Sequence, residues 1–301
     1  MLGSLLLALT VAVTFDDLPV TAGERGAPKG VHAVNEAIVS KLKARGIPAV
    51  AFVNEVGLET DGRVDPARVA ALEVWLDAGL ALGNHTYSHP SAHRVPLADY
   101  LDNVLKGERV TRPLLDARGA TLRWFRHPFL QTGRDLETKH AIEAFLTEHG
   151  YRVAPVTIDN GEWIFASAYT KAAKRKSRRD QKRIASEYVA YMERKTDYWE
   201  RSARRLFDRD IPQVLLVHAN QLNADHFDRI AAMLVRRGYR FVTLETAVDD
   251  PAYASPDTFI GAGGISWIHR WTLSGPGRAA VLPEEPEVPA WVKKAAGVDS
   301  E

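Results

Sequence analysis

Apolar segments typical of β-strands alternate with helical segments along most of this 301-residue chain. The first strand-like segment, Val11 to Asp17, is rich in β-branched residues and stops abruptly at two adjacent aspartates. Six further apolar runs follow it: Pro48 to Val53, Leu80 to Gly83, Leu122 to Arg126, Tyr151 to Ile158, Gln213 to Val217 and Tyr239 to Leu244. Strands that alternate with helices at this spacing pair in parallel through right-handed crossovers. The sequence therefore predicts an α/β fold built on seven parallel strands.

Helices are predicted between these strands, and one long helical segment interrupts the regular pattern. The predicted helices are Val31 to Arg45, Pro66 to Ala78, Pro96 to Ala117, Asp135 to His149 and Ala224 to Arg237. Between the fifth and sixth strands we expect a helical insertion, residues 164–210, packed on the barrel. It contains a basic run from Lys171 to Arg183 with eight Lys or Arg residues. Such a run is typical of a solvated helix face, and contact with an anionic polymer or surface is the alternative.

The two ends of the chain depart from this alternation. Residues 1–10 are apolar, with no preceding Lys or Arg, and represent either the remnant of a secretory signal or the start of the first strand. Residues 11–249 are expected to form the barrel. Residues 250–301 are rich in Pro and Gly, and we expect an extended C-terminal tail that packs on the barrel and ends in disorder. Trp267 and Trp271 either anchor this tail to the core or form a platform on which a sugar stacks.

Composition narrows the classes of partner and site. With 39 Lys and Arg against 38 Asp and Glu, the net charge is +1, so we expect no nucleic-acid partner. Beyond the apolar residues 1–10, no stretch approaches the ~18 apolar residues that a membrane span needs, so no stable membrane insertion is expected. The chain has no cysteine, so any metal must be bound by His, Asp or Glu. The oligomeric state is left open.

Polar residues that can titrate or bind metal follow five of the predicted strands at the same end of the sheet. They are Asp16, Asp17, His85, Arg126, Asp159 and His218. Convergence at the carboxyl ends of parallel strands is typical of active sites in barrels. His85 and His89 are four residues apart, so on one helical turn both imidazoles would reach a single metal ion.

The same residue types indicate a class of reaction. Two histidines and one aspartate leave an open coordination position, which is characteristic of catalytic rather than structural zinc. A second carboxylate can deprotonate water there, and a further histidine can protonate a leaving group. This combination predicts hydrolysis of an amide or an ester.

Five short motifs occur in order between about Val11 and Leu244: T-F-D-D, H-T-Y-S-H, R-H-P-F, D-N-G-E-W and L-L-V-H. Together they resemble the five motifs of the polysaccharide deacetylases, the NodB-homology carbohydrate esterases of family 4. The resemblance implies a distorted (β/α)7 barrel that removes acetyl groups from an acetylated glycan, such as chitin oligomers, peptidoglycan or an exopolysaccharide. Two positions depart from the family pattern. Phe129 replaces a usual tyrosine, and Glu162 replaces a usual aspartate, which leaves the supporting acid open between Asp159 and Glu162.

The resemblance also implies roles for individual residues. Asp16 would be the general base, held ionised by Arg126, and His218 the general acid, with Asp159 tuning the polar network around it. Metal-activated water would attack the acetyl carbonyl, and a backbone N–H near Tyr87 would help to stabilise the oxyanion. The implied metal is divalent, with zinc favoured over cobalt, nickel or manganese. The implied metal ligands are Asp17, His85 and His89, and the implied substrate-binding residues are Tyr87, Pro128, Trp163 and Leu216.

Three other functions compete with this one. An O-acetyl esterase acting on a xylan-type polysaccharide would need the same residues, so the sequence does not separate it. A non-catalytic glycan-binding or surface-binding protein on the same barrel would be indicated by loss of Asp16, a metal ligand or His218, and all are present. A hydrolase of small amides is less favoured, because the paired aspartates and paired histidines are intact. The expected location is exported from a bacterium, periplasmic or secreted, with the cytoplasm as the alternative.

Overall fold

The structure, a computed structural model, describes residues 9–24, 30–275 and 282–300. Residues 1–8, where the sequence suggests a signal remnant, lie outside the described residues. In the described part of the chain the first strand begins at Thr10 and is therefore one residue longer at its start than predicted.

Nine strands are assigned within the described residues. They are β1 (Thr10–Leu18), β2 (Ala49–Val53), β3 (Glu59–Thr60), β4 (Arg63–Val64), β5 (Ala81–Asn84), β6 (Trp124–Phe125), β7 (Arg152–Val153), β8 (Gln213–His218) and β9 (Arg240–Phe241). β3 and β4 form a small antiparallel hairpin that was not predicted.

Eleven α-helices surround the strands in the same described ranges. They are α1 (Gly30–Ala44), α2 (Pro66–Asp77), α3 (Leu97–Lys106), α4 (Thr111–Asp116), α5 (Leu136–Glu148), α6 (Glu162–Lys174), α7 (Arg178–Phe207), α8 (Gln221–Arg236), α9 (Leu244–Val248), α10 (Trp267–Ser274) and α11 (Ala290–Ala296). No helix among the described residues is both long enough and apolar enough to cross a membrane.

The remaining seven strands form one parallel sheet in the order β7-β6-β5-β2-β1-β8, with β9 paired to the start of β1. A parallel bridge between Ile158 and Leu215 joins the segment after β7 to β8, so the sheet curls back on itself. The predicted α/β class and distorted (β/α)7 barrel are confirmed. All carboxyl ends of these strands therefore point to one end of the molecule.

Several predicted elements are shorter than expected, among them β6 and β9, which have two residues each. Tyr151 to Ile158 pairs as a strand only at β7 and again at Ile158, because Pro155 lies between them and has no N–H for the ladder. The predicted helix Pro96 to Ala117 is divided into α3 and α4, with Gly107 at the break.

The insertion and the tail both pack on the barrel. α6 and α7 lie between β7 and β8, where the sequence predicts a helical insertion, and α7 buries one side along its 30 residues. The tail is not simply extended, because it includes α10 and α11. Val292 and Ala296 of α11 are buried, so the part of the chain predicted to be disordered is helical up to that point.

The apolar core has two parts. The larger part lies between the sheet and the surrounding helices. A smaller inner cluster consists of Ala12, Val50, Phe52, Trp124, Ala154, Val214, Leu244, Ala247 and Val248. Ala12, Val50 and Val214 lie early in their strands, at the amino-terminal end of the barrel. Phe52 lies near the end of β2, where its ring centre is 4.7 Å from the guanidinium carbon of Arg126.

Candidate active site

β1 delivers two aspartates to the carboxyl end of the sheet. Side chains alternate across a strand, so Asp16 shares the inner face of the barrel with Ala12. A regular strand would turn Asp17 to the opposite face, but its φ of 63° breaks the alternation. Both carboxylates therefore approach His85, whose Nε2 lies 3.8 Å from Asp16 Oδ2 and 3.7 Å from Asp17 Oδ1.

The donor atoms of Asp17, His85 and His89 all lie within 4.8 Å of one another. Asp17 Oδ1 is 3.7 Å from Nε2 of His85 and 3.8 Å from Nε2 of His89. Atoms that share one ion at about 2 Å lie at most about 4 Å apart, so a small adjustment would let all three bind it. The residues that the sequence predicts as metal ligands are thus brought together.

The tautomer of His85 and the neutral charge of both imidazoles also fit a metal site. His85 Nδ1 lies 2.8 Å from the carbonyl oxygen of Arg126. Because a carbonyl oxygen only accepts, Nδ1 carries the proton and Nε2 presents a lone pair to the site. Burial lowers the pKa of both His85 and His89, which keeps both rings neutral. A carboxylate with two neutral imidazoles is a donor set typical of catalytic zinc.

A loop, and not the predicted helical turn, brings the two histidines together. Residues 85–90 are not helical, and the φ angles of Thr86 and His89 are 67° and 60°. The side chain of Asn84 accepts the N–H of Thr86 at 2.7 Å, so the loop does not depend on helical hydrogen bonds. Gly107 lies against the loop, where a Cβ would fall 2.5 Å from the carbonyl carbon of Thr86.

Tyr87 does not offer the expected contact to an oxyanion. Its backbone N–H donates to the carbonyl of Asn103 at 2.9 Å, and its hydroxyl donates to Glu59 at 3.0 Å. The neighbouring N–H of Ser88 donates to the side chain of Asn103. These donors are already used within the protein because α3 packs against the loop.

Asp16 is buried and held on one side by a guanidinium. Arg126, which is fully buried, places Nη1 3.3 Å from Asp16 Oδ2, and its Nη2 donates to Thr14 Oγ1 at 3.0 Å. Burial raises the pKa of Asp16 to about 6, although the charge of Arg126 acts in the opposite direction. Oδ1 of Asp16 has no hydrogen-bond partner in the described part of the chain, so this oxygen is open to accept a proton.

His218 lies on β8, directly beside Asp16 in the sheet register. Its Nδ1 lies 2.7 Å from Oε2 of the buried Glu162. Asn220 and Asn223 donate to the other carboxylate oxygen of Glu162, at 2.5 and 2.9 Å. Burial disfavours the imidazolium, but the hydrogen bond and charge of Glu162 outweigh it and raise the pKa of His218 to about 9. His218 is therefore poised as a proton donor.

Asp159 lies in the cavity wall but does not contact His218. Its Oδ1 accepts the backbone N–H of Asn160 at 2.9 Å. Burial raises the pKa of Asp159 to about 6, although the charge of Lys195 on α7 opposes the shift. The geometry therefore favours Glu162 over Asp159 as the acid that supports His218. The sequence left this choice open and assigned Asp159 to the polar network around His218.

Replacing Glu162 with glutamine is expected to lower the pKa of His218 from about 9, because burial is then opposed only by the charges of Asp17 and Asp16. We expect kcat for substrate hydrolysis to fall about a hundredfold, since a neutral imidazole is a poor acid. NMR titration of His218 and a pH–rate profile measure both effects. Asp159→Asn is the matched control: if it shifts the pKa of His218 as much as Glu162→Gln does, the assignment of Glu162 is wrong.

One cavity of about 800 Å³ joins these groups. Two aromatic side chains stand at it with large exposed fractions, Trp163 at 43% and Phe129 at 53%, whereas Leu216 is buried in its wall. Pro128 and Tyr87 do not line it. The predicted site residues that do line it are Asp16, Asp17, His85, His89, Asp159, Trp163, Leu216 and His218.

The tail supplies a further wall, which the sequence did not predict. Residues 262–264 line the cavity and pack on the loop that carries Phe129. A Cβ on Gly264 would lie 1.7 Å from the carbonyl oxygen of Phe129, so only glycine fits this approach. Gln131 donates to the carbonyl of Ala262 at 2.6 Å. The contact holds the centre of the Phe129 ring 4.3 Å from that of the candidate metal ligand His89.

A buried arginine joins the tail to this loop. Arg270 is fully buried and donates to the carbonyl of Leu130 on the loop and to that of Ile265 on the tail. Its guanidinium lies 4.1 Å from the ring centre of Trp267. Trp267 and Trp271 are both buried, so they anchor the tail and form no sugar platform. Contacts between residues more than a hundred positions apart leave no local sequence signal.

Comparison with known proteins supports the family expected from the motifs. Residues 8–154 match the family model described as polysaccharide deacetylase. A peptidoglycan-N-acetylglucosamine deacetylase of Bacillus cereus is 28% identical over 160 residues, which cover 53% of this chain and 48% of that protein. The chain thus spans about half the length of this curated relative.

Two solved structures share the fold. A family 4 carbohydrate esterase from Streptomyces lividans, in complex with acetate, superposes with a TM-score of 0.50 at 18% identity and covers 79% of this chain and 95% of its own. A family 4 pseudoenzyme from Bacillus anthracis gives 0.50 at 15% identity and covers 81% and 67%. One is named an esterase and the other a pseudoenzyme, so activity must be argued from side chains and not from the fold.

Proposed function

We propose that the chain belongs to the polysaccharide deacetylase family, whose model matches residues 8–154, and that it is a metal-dependent hydrolase that removes acetyl groups from an N-acetylated polysaccharide or oligosaccharide. One observation carries the proposal. The donor atoms of Asp17, His85 and His89 meet within 4.8 Å, beside the open oxygen of Asp16, in the same cavity as His218. A barrel that had lost catalysis would have no need to retain all five groups in one cavity.

Asp17, His85 and His89 would hold a divalent ion, with zinc favoured by the donor set. When bound, such an ion lowers the pKa of water and polarises the carbonyl oxygen of the acetyl group. The lone pair that His85 needs is already directed to the site by the hydrogen bond from its Nδ1 to the carbonyl of Arg126.

The chain's own residues divide the proton transfers between them. Asp16 accepts the proton of the water that attacks the acetyl carbon, while Arg126, which also donates to Thr14, keeps the carboxylate in place. His218, held by Glu162, donates a proton to the sugar nitrogen as the C–N bond breaks. The products are a free amino sugar and acetic acid, which retains the second proton of the water and loses it to solvent as acetate. The two transfers leave Asp16 protonated and His218 neutral, and proton exchange with solvent resets both.

The cavity fits a glycan in shape and lining. Its volume of about 800 Å³ is larger than an acetyl group requires, so it has space for sugar residues beside the reacting one. The exposed rings of Trp163 and Phe129 offer apolar faces on which the C–H face of a pyranose can pack. Buried Leu216 lies in the wall, where an acetyl methyl group would need an apolar contact.

An exported location stays a prediction.

Release of acetate tests the proposal most directly. Purified protein is incubated with acetylated chitooligosaccharides, peptidoglycan and acetylxylan in parallel, after removal of metal by a chelator and after return of zinc, cobalt, nickel or manganese. We expect release from an N-acetylated glycan that is lost with the chelator and restored by one metal.

The other outcomes are equally informative. Release from acetylxylan alone would replace the proposal with an O-acetyl esterase. Release that the chelator leaves unchanged would contradict the metal requirement. No release from any substrate by metal-loaded protein, combined with measurable glycan binding, would favour a non-catalytic role.

A further inference from the structure

The cavity continues beyond the reacting groups along one face of α6. Its lining residues on this helix are Trp163, Ala166, Ser167, Thr170, Lys171 and Lys174. At 1.5 Å per residue, the eleven steps from Trp163 to Lys174 span about 16 Å. The cavity therefore has a far end, well separated from the metal ligands, where a different part of a polymeric substrate would lie.

Two lysines of the basic run stand at this far end. Lys171 donates through Nζ to the carbonyl of Ala296, at the end of α11, and this contact holds its ammonium group at the cavity wall. Within the described residues, no carboxylate oxygen lies within 4.0 Å of Lys174 Nζ. The basic run that the catalytic chemistry does not use thus contributes two cations to the substrate cavity.

The acidic group beside them, Glu24, is already engaged. It is 5% exposed, and its carboxylate accepts the hydroxyl of Thr170 and the backbone N–H of Gln221, the latter at 2.6 Å. Glu24 itself lines the cavity, and its charge interacts with that of Lys174. Two ammonium groups against one internally bonded carboxylate leave the far end of the cavity positive.

We propose that this far end is a subsite for an anionic group of the glycan, a carboxylate or a phosphate carried by a sugar other than the one deacetylated. The preferred substrate is then an acidic N-acetylated polymer and not a neutral one. This inference rests on the proposed function for its substrate. Lysines in the last turn of a helix also interact with its dipole, so the test must separate a subsite from a general charge effect.

The test compares kcat/KM for two N-acetylated oligosaccharides of matched length. One is a neutral chitooligosaccharide, and the other alternates N-acetylglucosamine with glucuronic acid. A third arm uses a chitooligosaccharide that carries phosphate esters, which distinguishes the two anions. We expect Lys174→Gln to lower kcat/KM for an anionic substrate about fivefold more than for the neutral one, and added salt to reduce the difference.

Lys182→Gln is the matched control, because Lys182 belongs to the same basic run but lies on α7 outside the cavity. It removes the same charge and is expected to leave the preference for the anionic substrate unchanged. A preference lost equally in both variants would assign the effect to the overall charge and overturn the subsite. Equal kcat/KM for neutral and anionic substrates in the unmodified protein would also overturn the subsite.

Failure of the proposed function gives a different result. If neither substrate is deacetylated, calorimetric binding of the same oligosaccharides to the unmodified protein and to both variants still tests the subsite. Weaker binding of the anionic oligosaccharide to the Lys174→Gln variant alone would support it, and equal binding to all three proteins would overturn it.

Discussion

Replacement of Asp16 by asparagine is expected to lower kcat by about a thousandfold, within the range that general-base catalysis contributes. The amide keeps the shape of the carboxylate and can still accept from Arg126 Nη1, but it cannot take a proton from water. Asp16 is not one of the three residues whose donor atoms converge, so the affinity for metal should change little.

Kinetics on the best substrate and metal content after dialysis together measure this prediction. A thermal unfolding curve serves as the control, because Asp16 is buried beside the charge of Arg126 and its loss could unfold the protein. A folded, metal-loaded Asp16→Asn protein that keeps most of its activity would show that another group is the base.

Replacement of His85 by alanine is expected to abolish both metal binding and activity. His85 is almost completely buried, and its Nε2 lies 3.7 Å from Asp17 Oδ1, so alanine removes one of the three converging donor atoms. Loss of an outer partner of a metal ligand already costs 10- to 100-fold in affinity, so loss of the ligand itself should cost more than about a hundredfold. Titration of metal-free protein with zinc, followed by calorimetry, measures the affinity directly.

His93→Ala is the matched control for this experiment. His93 lies four residues after His89 in the sequence, but it does not belong to the group whose donor atoms converge. The variant should bind zinc as the unmodified protein does. If His93→Ala lost metal and His85→Ala kept it, the assigned ligand set would be wrong.

The sequence predicts the strands well where apolar runs are long and β-branched. β1, β2 and β8 match their predicted segments within one or two residues. The fourth, fifth and seventh predicted strands pair only at two or three residues, because pairing depends on the neighbouring segments and not on apolar content alone. In the fifth predicted strand, Pro155 was a sequence signal that pairing would be interrupted, because proline has no N–H for the ladder.

The site was predictable to the extent that its residues follow strands. Asp16, His85, Arg126 and His218 each come directly after an apolar run, and parallel strands bring such positions to one end. The convergence of His89 was predicted for the wrong reason, since a loop with left-handed residues takes the place of a helical turn. Spacing alone indicates that two histidines can meet, but it does not show which backbone brings them together.

The sequence by itself determined the α/β class, the strands of the parallel sheet and the residues that are candidates for binding metal and transferring protons, because these depend on local patterns and on strand direction. Only the tertiary structure decided that Glu162 and not Asp159 supports His218, that the N–H of Tyr87 is already used, and that Gly264 and Arg270 of the tail build a wall beside Phe129. Each of these rests on a contact made by a side chain or backbone group whose direction is set by packing. Neighbours distant in sequence set that direction, so no local pattern records it.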